Sequence, residues 1–239
     1  MPKRDAYLNR MIHHMWNGEV KVITGIRRCG KSVLLFDLFY EYLLSQEVQE
    51  DHIIKIELDQ RRYYKFRNPI TLCEYVEDLV SGKKDEKFYI FIDEVQLTTK
   101  VIDKENGGIE VSIYDMLNEL KAYKNLDVYV TGSNSKGLSK DIATEFRGRA
   151  TQIHVFPLSF EEFYSHVGGD ERKALDTYTL YGGMPRLLAL TDEKDKKDYL
   201  SSLCSELYVK DIVERNGIER EDILNDILDF LASQISSLT

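Results

Sequence analysis

Eight consecutive residues decide the fold of this chain: Gly25-Ile26-Arg27-Arg28-Cys29-Gly30-Lys31-Ser32. They match the pattern G-x-x-x-x-G-K-[ST] at every fixed position, and this pattern is typical of a loop that curls around phosphate groups. The short β-branched run at residues 20–24 indicates a buried strand before the loop, and the apolar residues 33–39 indicate a helix after it. The sequence therefore predicts the order of strand, loop and helix that such a loop requires.

The residue types explain how such a loop binds phosphate. Glycine has no side chain, so backbone N–H groups can turn towards phosphate oxygens, and the N-terminus of the following helix adds partial positive charge. The lysine would contact the β- and γ-phosphates, and the serine hydroxyl would bind Mg²⁺. The alternative is a glycine-rich turn that binds nothing. The predicted nucleotide-binding residues are Gly25, Ile26, Arg27, Arg28, Cys29, Gly30, Lys31, Ser32 and Val33.

Two carboxylates follow an unbroken apolar run. Residues 88–92 predict a central parallel strand, and Asp93 and Glu94 come directly after it. Ligands of open α/β sheets bind at the carboxyl ends of the strands. We therefore expect Asp93 to hold Mg²⁺ and Glu94 to orient and deprotonate an attacking water. The alternative is an ordinary strand exit with solvated acids.

A third candidate part of the site lies at the end of a fourth predicted strand, residues 126–130. Small polar residues follow it at 131–135. Such groups can hydrogen-bond a γ-phosphate and the lytic water, so we expect Asn134 to act as a sensor of the phosphate. A composition that merely favours turns would also explain this run.

Two arginines precede a fifth predicted strand, residues 151–156. Arg147 or Arg149 can reach the γ-phosphate of a neighbouring subunit and stabilise charge in the transition state, as an arginine finger does. An ion pair within the chain is the alternative.

From Ser159 onward the sequence becomes helical, with one interruption at residues 181–186. The glycines and the proline there predict a tight turn before another helix. Such a turn can place Pro185 against adenine, and a plain connection between helices explains it equally well.

A basic segment, Arg61 to Arg67, combines four cations with three aromatic residues. This composition can stack bases and neutralise phosphates. The formal net charge of −9 favours the alternative, a solvated loop whose rings pack inward.

Composition restricts the class of protein. The 239 residues are 43% hydrophobic and 31% charged, which indicates a soluble α/β domain with a smaller helical part. Three cysteines are widely spaced with no C-x-x-C pair, so we expect reduced thiols, no structural zinc and a cytoplasmic location. No leader pattern and no membrane span are predicted.

With these residues identified, the chain resembles P-loop ATPases of the AAA type. More narrowly, it is similar to prokaryotic AAA-domain proteins whose longer members carry a C-terminal domain of unknown function with a restriction-endonuclease-like core. The resemblance covers essentially the whole chain. It rests on the paired Arg27 and Arg28 in the loop and on further motifs: Ile92-Asp93-Glu94-Val95-Gln96, Thr131-Gly132-Ser133-Asn134-Ser135, Phe146-Arg147-Gly148-Arg149, Pro157-Leu158-Ser159-Phe160-Glu161-Glu162-Phe163 and Tyr181-Gly182-Gly183-Met184-Pro185.

The resemblance implies a three-layer α/β/α fold with five parallel strands in the order 5-1-4-3-2, followed by a small helical lid. The expected divisions are 1–158 for the nucleotide-binding domain, 159–222 for the lid and 223–239 for the start of a winged-helix-like segment. Because neither a complete winged helix nor the nuclease-like domain is present, we expect this sequence to stop inside a further domain.

The predicted function is Mg²⁺-dependent ATP hydrolysis coupled to conformational change, slow in the isolated chain if the finger comes from a second copy in a homo-oligomer. DNA is a candidate partner, through the missing C-terminal region or through residues 61–67. A nucleotide-gated binding module with little turnover is the first alternative. A small-molecule kinase is a second, and it is disfavoured because Glu94 and a polar sensor strand suit the activation of water.

Overall fold

The amino-terminal unit of the chain is built around a parallel sheet. The computed structural model describes residues 2–132, 150–204, 213 and 221–235, and the chain divides into two compact units, Met1–His166 and Val167–Thr239. In chain order the strands are β1 (Val20–Thr24), β2 (Ile53–Glu57), β3 (Phe88–Asp93), β4 (Leu126–Gly132) and β5 (Ala150–His154). They lie in the order β5-β1-β4-β3-β2, and all neighbours are parallel. The predicted fold class and strand order are confirmed.

Helices cover both faces of this sheet, because successive side chains of a strand point to opposite faces. Helix α1 (Asp5–His13) and a longer helix, α2, which begins at Lys31, pack on one face. Helices α3 (Pro69–Val80) and α4 (Ile113–Leu120) pack on the other. Within β1, Val22 belongs to the core under α3 and α4, and Ile23 belongs to the core under α1 and α2. The result is three layers with an apolar core on each side of the sheet.

Helix α2 is not uniform. It consists of an α-helical turn at Lys31–Val33, a π-helical segment at Leu34–Phe39 and a further α-helical segment at Tyr40–Ser45. Leu34, Leu35 and Phe39 are all buried in the core. Segments of π-helix are rare and are often found near functional sites. Here the segment follows directly on the turn that carries Lys31.

Shorter elements connect the layers. In the amino-terminal unit, 3₁₀ turns lie at Glu50–His52, Arg61–Arg67 and Val95–Leu97. Two short antiparallel strands, Val101–Asp103 and Ile109–Val111, form a separate hairpin between β3 and α4. Asn68 caps the start of α3, and Ser112 forms a capping box with Asp115 at the start of α4. The helix α5 (Phe160–Val167) follows β5.

The carboxy-terminal unit is helical in the part of it that the structure describes. It contains α6 (Glu171–Tyr181), a 3₁₀ turn at Pro185–Ala189, α7 (Glu193–Ser202) and α8 (Glu221–Ile235). Its core is formed by Tyr181, Met184, Leu187 and Leu203. The expected lid and winged-helix divisions at residues 159 and 223 stay predictions.

Among the helices in the described ranges, none has the length and the apolar composition that a membrane span needs.

Candidate functional site

The carboxyl ends of three strands share one edge of the sheet. Thr24, the last residue of β1, pairs with Gly132 of β4, and Ile92 of β3 pairs with Val130 of β4. The loop that follows β1, the carboxylate of Asp93 and the hydroxyl of Thr131 therefore lie at the same edge. This edge is where ligands of open α/β sheets bind.

The loop after β1 depends on glycine at its first position. Gly25 has φ of +152°, and a Cβ atom added to it would lie 2.2 Å from the backbone oxygen of Val155 and 2.9 Å from the sulfur of Cys29. No other residue type fits this close approach of two backbone segments. Arg28 and Gly30 also have positive φ, +63° and +100°. The loop is thus a tightly curved segment pressed against the chain that leaves β5.

Lys31 is the first residue of α2, and its side chain is folded back over the loop. It is only 4% exposed, and its Nζ donates hydrogen bonds to the carbonyl oxygens of Gly25 at 3.1 Å and Ile26 at 3.0 Å. The loop therefore carries a positive charge inside its curve, at the place where the pattern predicts phosphate.

The carboxylate of Asp93 joins three elements. Ser32 Oγ, at the start of α2, donates a hydrogen bond to Asp93 Oδ2 at 2.8 Å. Thr131 Oγ1, near the end of β4, donates to Asp93 Oδ1. Thr131 Oγ1 also accepts a hydrogen bond from the backbone N–H of Glu94 at 3.3 Å. The predicted metal residues Ser32 and Asp93 are therefore in direct contact, and Thr131 holds the second carboxylate oxygen.

This donor set suits Mg²⁺, which prefers carboxylate and hydroxyl oxygens and keeps several waters. Asp93 is 5% exposed, and this burial raises the pKa of its carboxyl group, while the hydrogen bonds from Thr131 and Ser32 oppose the rise. A cation beside the carboxylate would favour its ionised form. The residues present therefore fit a magnesium ion.

Glu94 has an unusual backbone. Its φ is +56°, a value that is rare outside glycine and that is often found at functional sites. Its carboxylate accepts a hydrogen bond from the side-chain amide of Gln96, in the 3₁₀ turn that follows. The backbone hydrogen bond to Thr131 and the side-chain hydrogen bond from Gln96 together hold the residue that the sequence predicts as general base.

The site also contains residues that the sequence did not single out. Thr131 was predicted only as one of several small polar residues, and Gln96 only as part of a motif. The signal for Thr131 was its place near the end of the strand beside β3, because neighbouring parallel strands end at the same edge. The signal for Gln96 was its spacing of two residues from Glu94.

Other predicted site residues have different outcomes. Asn134, Arg147 and Arg149 lie outside the described residues. Pro185 opens the 3₁₀ turn of the carboxy-terminal unit, and its contact with adenine stays a prediction. In the loop, Ile26 and Val33 are each 39% exposed, whereas Cys29 is fully buried.

The basic segment Arg61–Arg67 forms a 3₁₀ turn with its rings divided between core and solvent. Phe66 is 4% exposed and Tyr63 packs against the core, whereas Tyr64 is 49% exposed. Arg67 lies 4.0 Å from the centre of the Tyr64 ring, and Arg62 forms an ion pair with Glu57 at 3.5 Å. The arrangement exposes cations and a single ring, which favours contact with phosphates over stacking of several bases.

Comparisons with known proteins agree with this geometry. A family model described as an AAA domain matches residues 17–164, and a domain of unknown function, DUF8612, matches residues 172–239. An uncharacterized protein of Haemophilus influenzae is 30% identical over 100% of this chain and 57% of its own length. The uncharacterized protein MJ1544 of Methanocaldococcus jannaschii is 28% identical over 98% of this chain and 52% of its own length. The chain thus spans about half the length of these curated relatives.

A solved structure shares the fold. The ORC2 protein of Aeropyrum pernix, whose structure contains ADPNP and ADP complexes, matches 89% of this chain and 62% of its own chain, with a TM-score of 0.50 and 13% identity.

Proposed function

The chain belongs to the family of AAA domains, which are P-loop ATPases, and on this basis we propose that it binds ATP with Mg²⁺ and hydrolyses it in order to change conformation. One observation carries the proposal: Ser32 Oγ and Asp93 Oδ2 are 2.8 Å apart. Lys31, the residue before Ser32, places its side chain over the glycine loop. A phosphate group in the loop would be within reach of all three side chains.

Each residue of the site has a role in this proposal. The backbone N–H groups of the loop and the ammonium group of Lys31 bind the phosphates and neutralise part of their charge. Ser32 and Asp93 would hold Mg²⁺, which stabilises the negative charge that develops on the phosphate oxygens. Thr131 orients the carboxylate of Asp93 through its hydrogen bond.

Glu94 is the proposed general base. It accepts a proton from water as the water oxygen forms a bond to the γ-phosphorus, and the bond between this phosphorus and the β,γ-bridging oxygen breaks, which releases ADP. Gln96 restricts the carboxylate of Glu94 by donating a hydrogen bond to it. Asn134 completes the site as a sensor, and Arg147 or Arg149 supplies the finger to a second copy in a homo-oligomer, so the isolated chain turns over slowly.

A nucleotide-gated switch with little turnover is the second candidate. Thr131 supports it, because this one hydroxyl contacts both the carboxylate of Asp93 and the backbone of Glu94. A change at the metal residue would therefore reach the segment after β3 directly. Single-turnover measurements separate the two candidates, since a switch binds ATP tightly and converts it to ADP very slowly.

DNA is the proposed partner, and the exposed cations of residues 61–67 are its proposed contact surface. Arg61, Arg62 and Lys65 are exposed, and this group would bind phosphates without reading sequence. The chain is proposed to work in the cytoplasm. Its three cysteines are free thiols, as is usual for proteins of a reducing compartment.

The test is ATP turnover by the purified chain, with Mg²⁺ or with excess EDTA, alone and with duplex or single-stranded DNA. We expect ADP release that requires Mg²⁺ and that DNA accelerates. Tight ATP binding without ADP release would favour the switch, and the absence of ATP binding would contradict both functions.

A further inference from the structure

Arg4 is a buried arginine outside every motif that the sequence identifies. It precedes α1 and is only 4% exposed. Its Nη1 donates a hydrogen bond to the carbonyl oxygen of Cys29 at 3.2 Å, and its Nη2 donates to the carbonyl oxygen of Phe156 at 2.7 Å. Its Nε lies 3.0 Å from Oε1 of Glu162 in α5. One side chain thus connects the glycine loop, the chain after β5 and the helix that follows.

A buried guanidinium is costly unless its charge and its donors are matched. Here the carboxylate of Glu162 supplies the opposite charge, and two carbonyls accept hydrogen bonds from Nη1 and Nη2. The ring of Tyr7 lies 4.6 Å from the guanidinium carbon. Nε is close to Glu162 but has no hydrogen-bond partner among the described residues, so the ion pair alone compensates its burial. The planar fork of arginine reaches these groups at once, which the single ammonium of lysine cannot do.

The same side of the loop makes further contacts with the chain after β5. Cys29 Sγ donates to the carbonyl oxygen of Val155 at 3.4 Å, and Gly25 packs so closely on this oxygen that a Cβ atom is excluded. The hydroxyl of Tyr7 accepts a hydrogen bond from the backbone N–H of Phe156 at 3.2 Å. We call the set Arg4, Tyr7, Val155, Phe156 and Glu162 the loop clamp.

We propose that Arg4 is a positioning residue for the nucleotide: it holds the loop at Cys29 in its phosphate-binding shape before the nucleotide arrives. The inference rests on the proposed function. Lys31 and Ser32 bind phosphate and metal directly, whereas Arg4 acts through the carbonyl of Cys29. A loop that is already ordered loses less conformational freedom on binding, so the clamp increases affinity for the triphosphate without touching it.

The test compares Mg·ATP binding and turnover in the full chain with three variants. Arg4→Met removes the guanidinium, Arg4→Lys keeps the charge but not the fork, and Arg10→Met is the matched control. Arg10 also donates to a backbone carbonyl, that of Gln152 within β5 at 2.9 Å, but Arg10 is exposed and this hydrogen bond does not involve the loop.

We expect Arg4→Met to raise the Kd for Mg·ATP by about tenfold or more, since a charged hydrogen bond to the loop is lost. Arg4→Lys should lie between this variant and the wild type. The turnover rate at saturating ATP should change much less than KM, because Arg4 is proposed to act through the carbonyl of Cys29 and not on the reacting groups. Arg10→Met should bind as the wild type does.

Hydrogen exchange of the nucleotide-free protein supplies a readout that does not depend on ATP. In Arg4→Lys, amides of residues 26–30 should exchange faster, while amides of β3 and β4 keep their protection. If Arg4→Met does not fold, Arg4→Lys decides the question. Wild-type affinity together with unchanged loop exchange in Arg4→Lys would overturn the role of Arg4. Failure of the wild type to bind ATP would instead overturn the proposed function.

Discussion

The hydroxyl of Ser32 donates a hydrogen bond to the carboxylate of Asp93 across 2.8 Å, although the two residues are 61 positions apart in the chain. The sheet order produces this contact. Strand β4 lies between β1 and β3, so the first turn of α2 must reach across the end of β4 to meet the end of β3. Thr131 lies at that end and bonds the other oxygen of the same carboxylate. The proposed magnesium site therefore needs all three strand ends in register.

The general base is tested by Glu94→Gln. The amide cannot accept the proton of water, so hydrolysis should fall by about 100-fold or more, while the affinity for Mg·ATP stays close to that of the wild type. Calorimetry and single-turnover assays measure the two quantities. Glu105→Gln, at an exposed acid of the hairpin connection, is the control. Unchanged turnover in Glu94→Gln would contradict the proposal that Glu94 is the general base.

Thr131→Val tests the hydroxyl that connects Asp93 and Glu94. The substitution keeps the side-chain shape but leaves a buried carboxylate oxygen and a backbone N–H without their partner. We expect the free energy of unfolding of the nucleotide-free protein to fall by about 1–3 kcal/mol, and Mg²⁺-dependent turnover to fall with it. Urea unfolding measures the first effect. A variant as stable and as active as the wild type would show that this hydroxyl is dispensable.

The close packing of the glycine loop is tested by Gly25→Ala with Gly82→Ala as its control. Both glycines have positive φ, but a Cβ atom at Gly82 meets nothing within 4 Å, whereas one at Gly25 meets the backbone oxygen of Val155 at 2.2 Å. Gly82→Ala should cost about 1–2 kcal/mol of stability from its backbone conformation alone. Gly25→Ala should cost clearly more and should lose ATP binding; equal costs would contradict the packing.

Burial of the cysteines predicts which thiols react with a maleimide. Cys29 and Cys73 are buried and Cys204 is exposed. Burial raises the pKa of Cys29, and burial together with the carboxylates of Glu119 and Glu77 raises the pKa of Cys73. Because the thiolate is the reactive form, a maleimide should label Cys204 alone in the folded chain and all three thiols after denaturation.

The same shifts predict how stability changes with pH. A thiol whose pKa is higher in the folded state keeps its proton there after the unfolded thiol has lost it. The free energy of unfolding should therefore decrease as pH rises above about 8.5, the unfolded thiol value. Cys73→Ala should make this decrease shallower in chemical unfolding measured at several pH values. An unchanged slope would contradict the shift.

Charge reversal tests the DNA surface. Arg61→Glu combined with Lys65→Glu should weaken binding of duplex DNA and reduce the dependence of log K on log salt by about 0.9 for each lost phosphate contact. Lys194→Glu combined with Lys197→Glu changes the net charge equally at exposed positions of α7 and should leave the slope unchanged. Fluorescence anisotropy at several salt concentrations measures both. Equal effects of the two pairs would assign binding to overall charge.

Much of the fold could be predicted from local signals. The β-branched and apolar runs predicted β1 and β3, because a parallel strand that is buried on both faces consists almost entirely of such residues. The strand order came from the resemblance and is confirmed. Ser32 and Asp93 were each predicted to bind Mg²⁺, and the strand order that the resemblance implies brings the ends of their strands to the same edge of the sheet.

Arg4 shows what a sequence cannot provide. In the run Lys3-Arg4-Asp5 it resembles one of several charged residues exposed to solvent before the first helix. Its burial depends on Phe156, 152 positions away, and on Glu162, and no local pattern encodes such a contact.

The basic segment, Arg61–Arg67, could be predicted in part. Its composition indicated the cations, but only the packing of Tyr63 and Phe66 against the core decides that two of its rings face inward.

The most direct test of the central claim is a double-mutant cycle on Mg·ATP affinity, measured by calorimetry with Ser32→Ala, Asp93→Asn and the double variant. If both residues act on one magnesium ion, each single change should weaken binding by about tenfold or more, and the double variant should be little weaker than the worse single variant. Affinity for ATP in EDTA should be the same in all four proteins. Independent, multiplying effects, or no binding heat in the wild type, would contradict the claim.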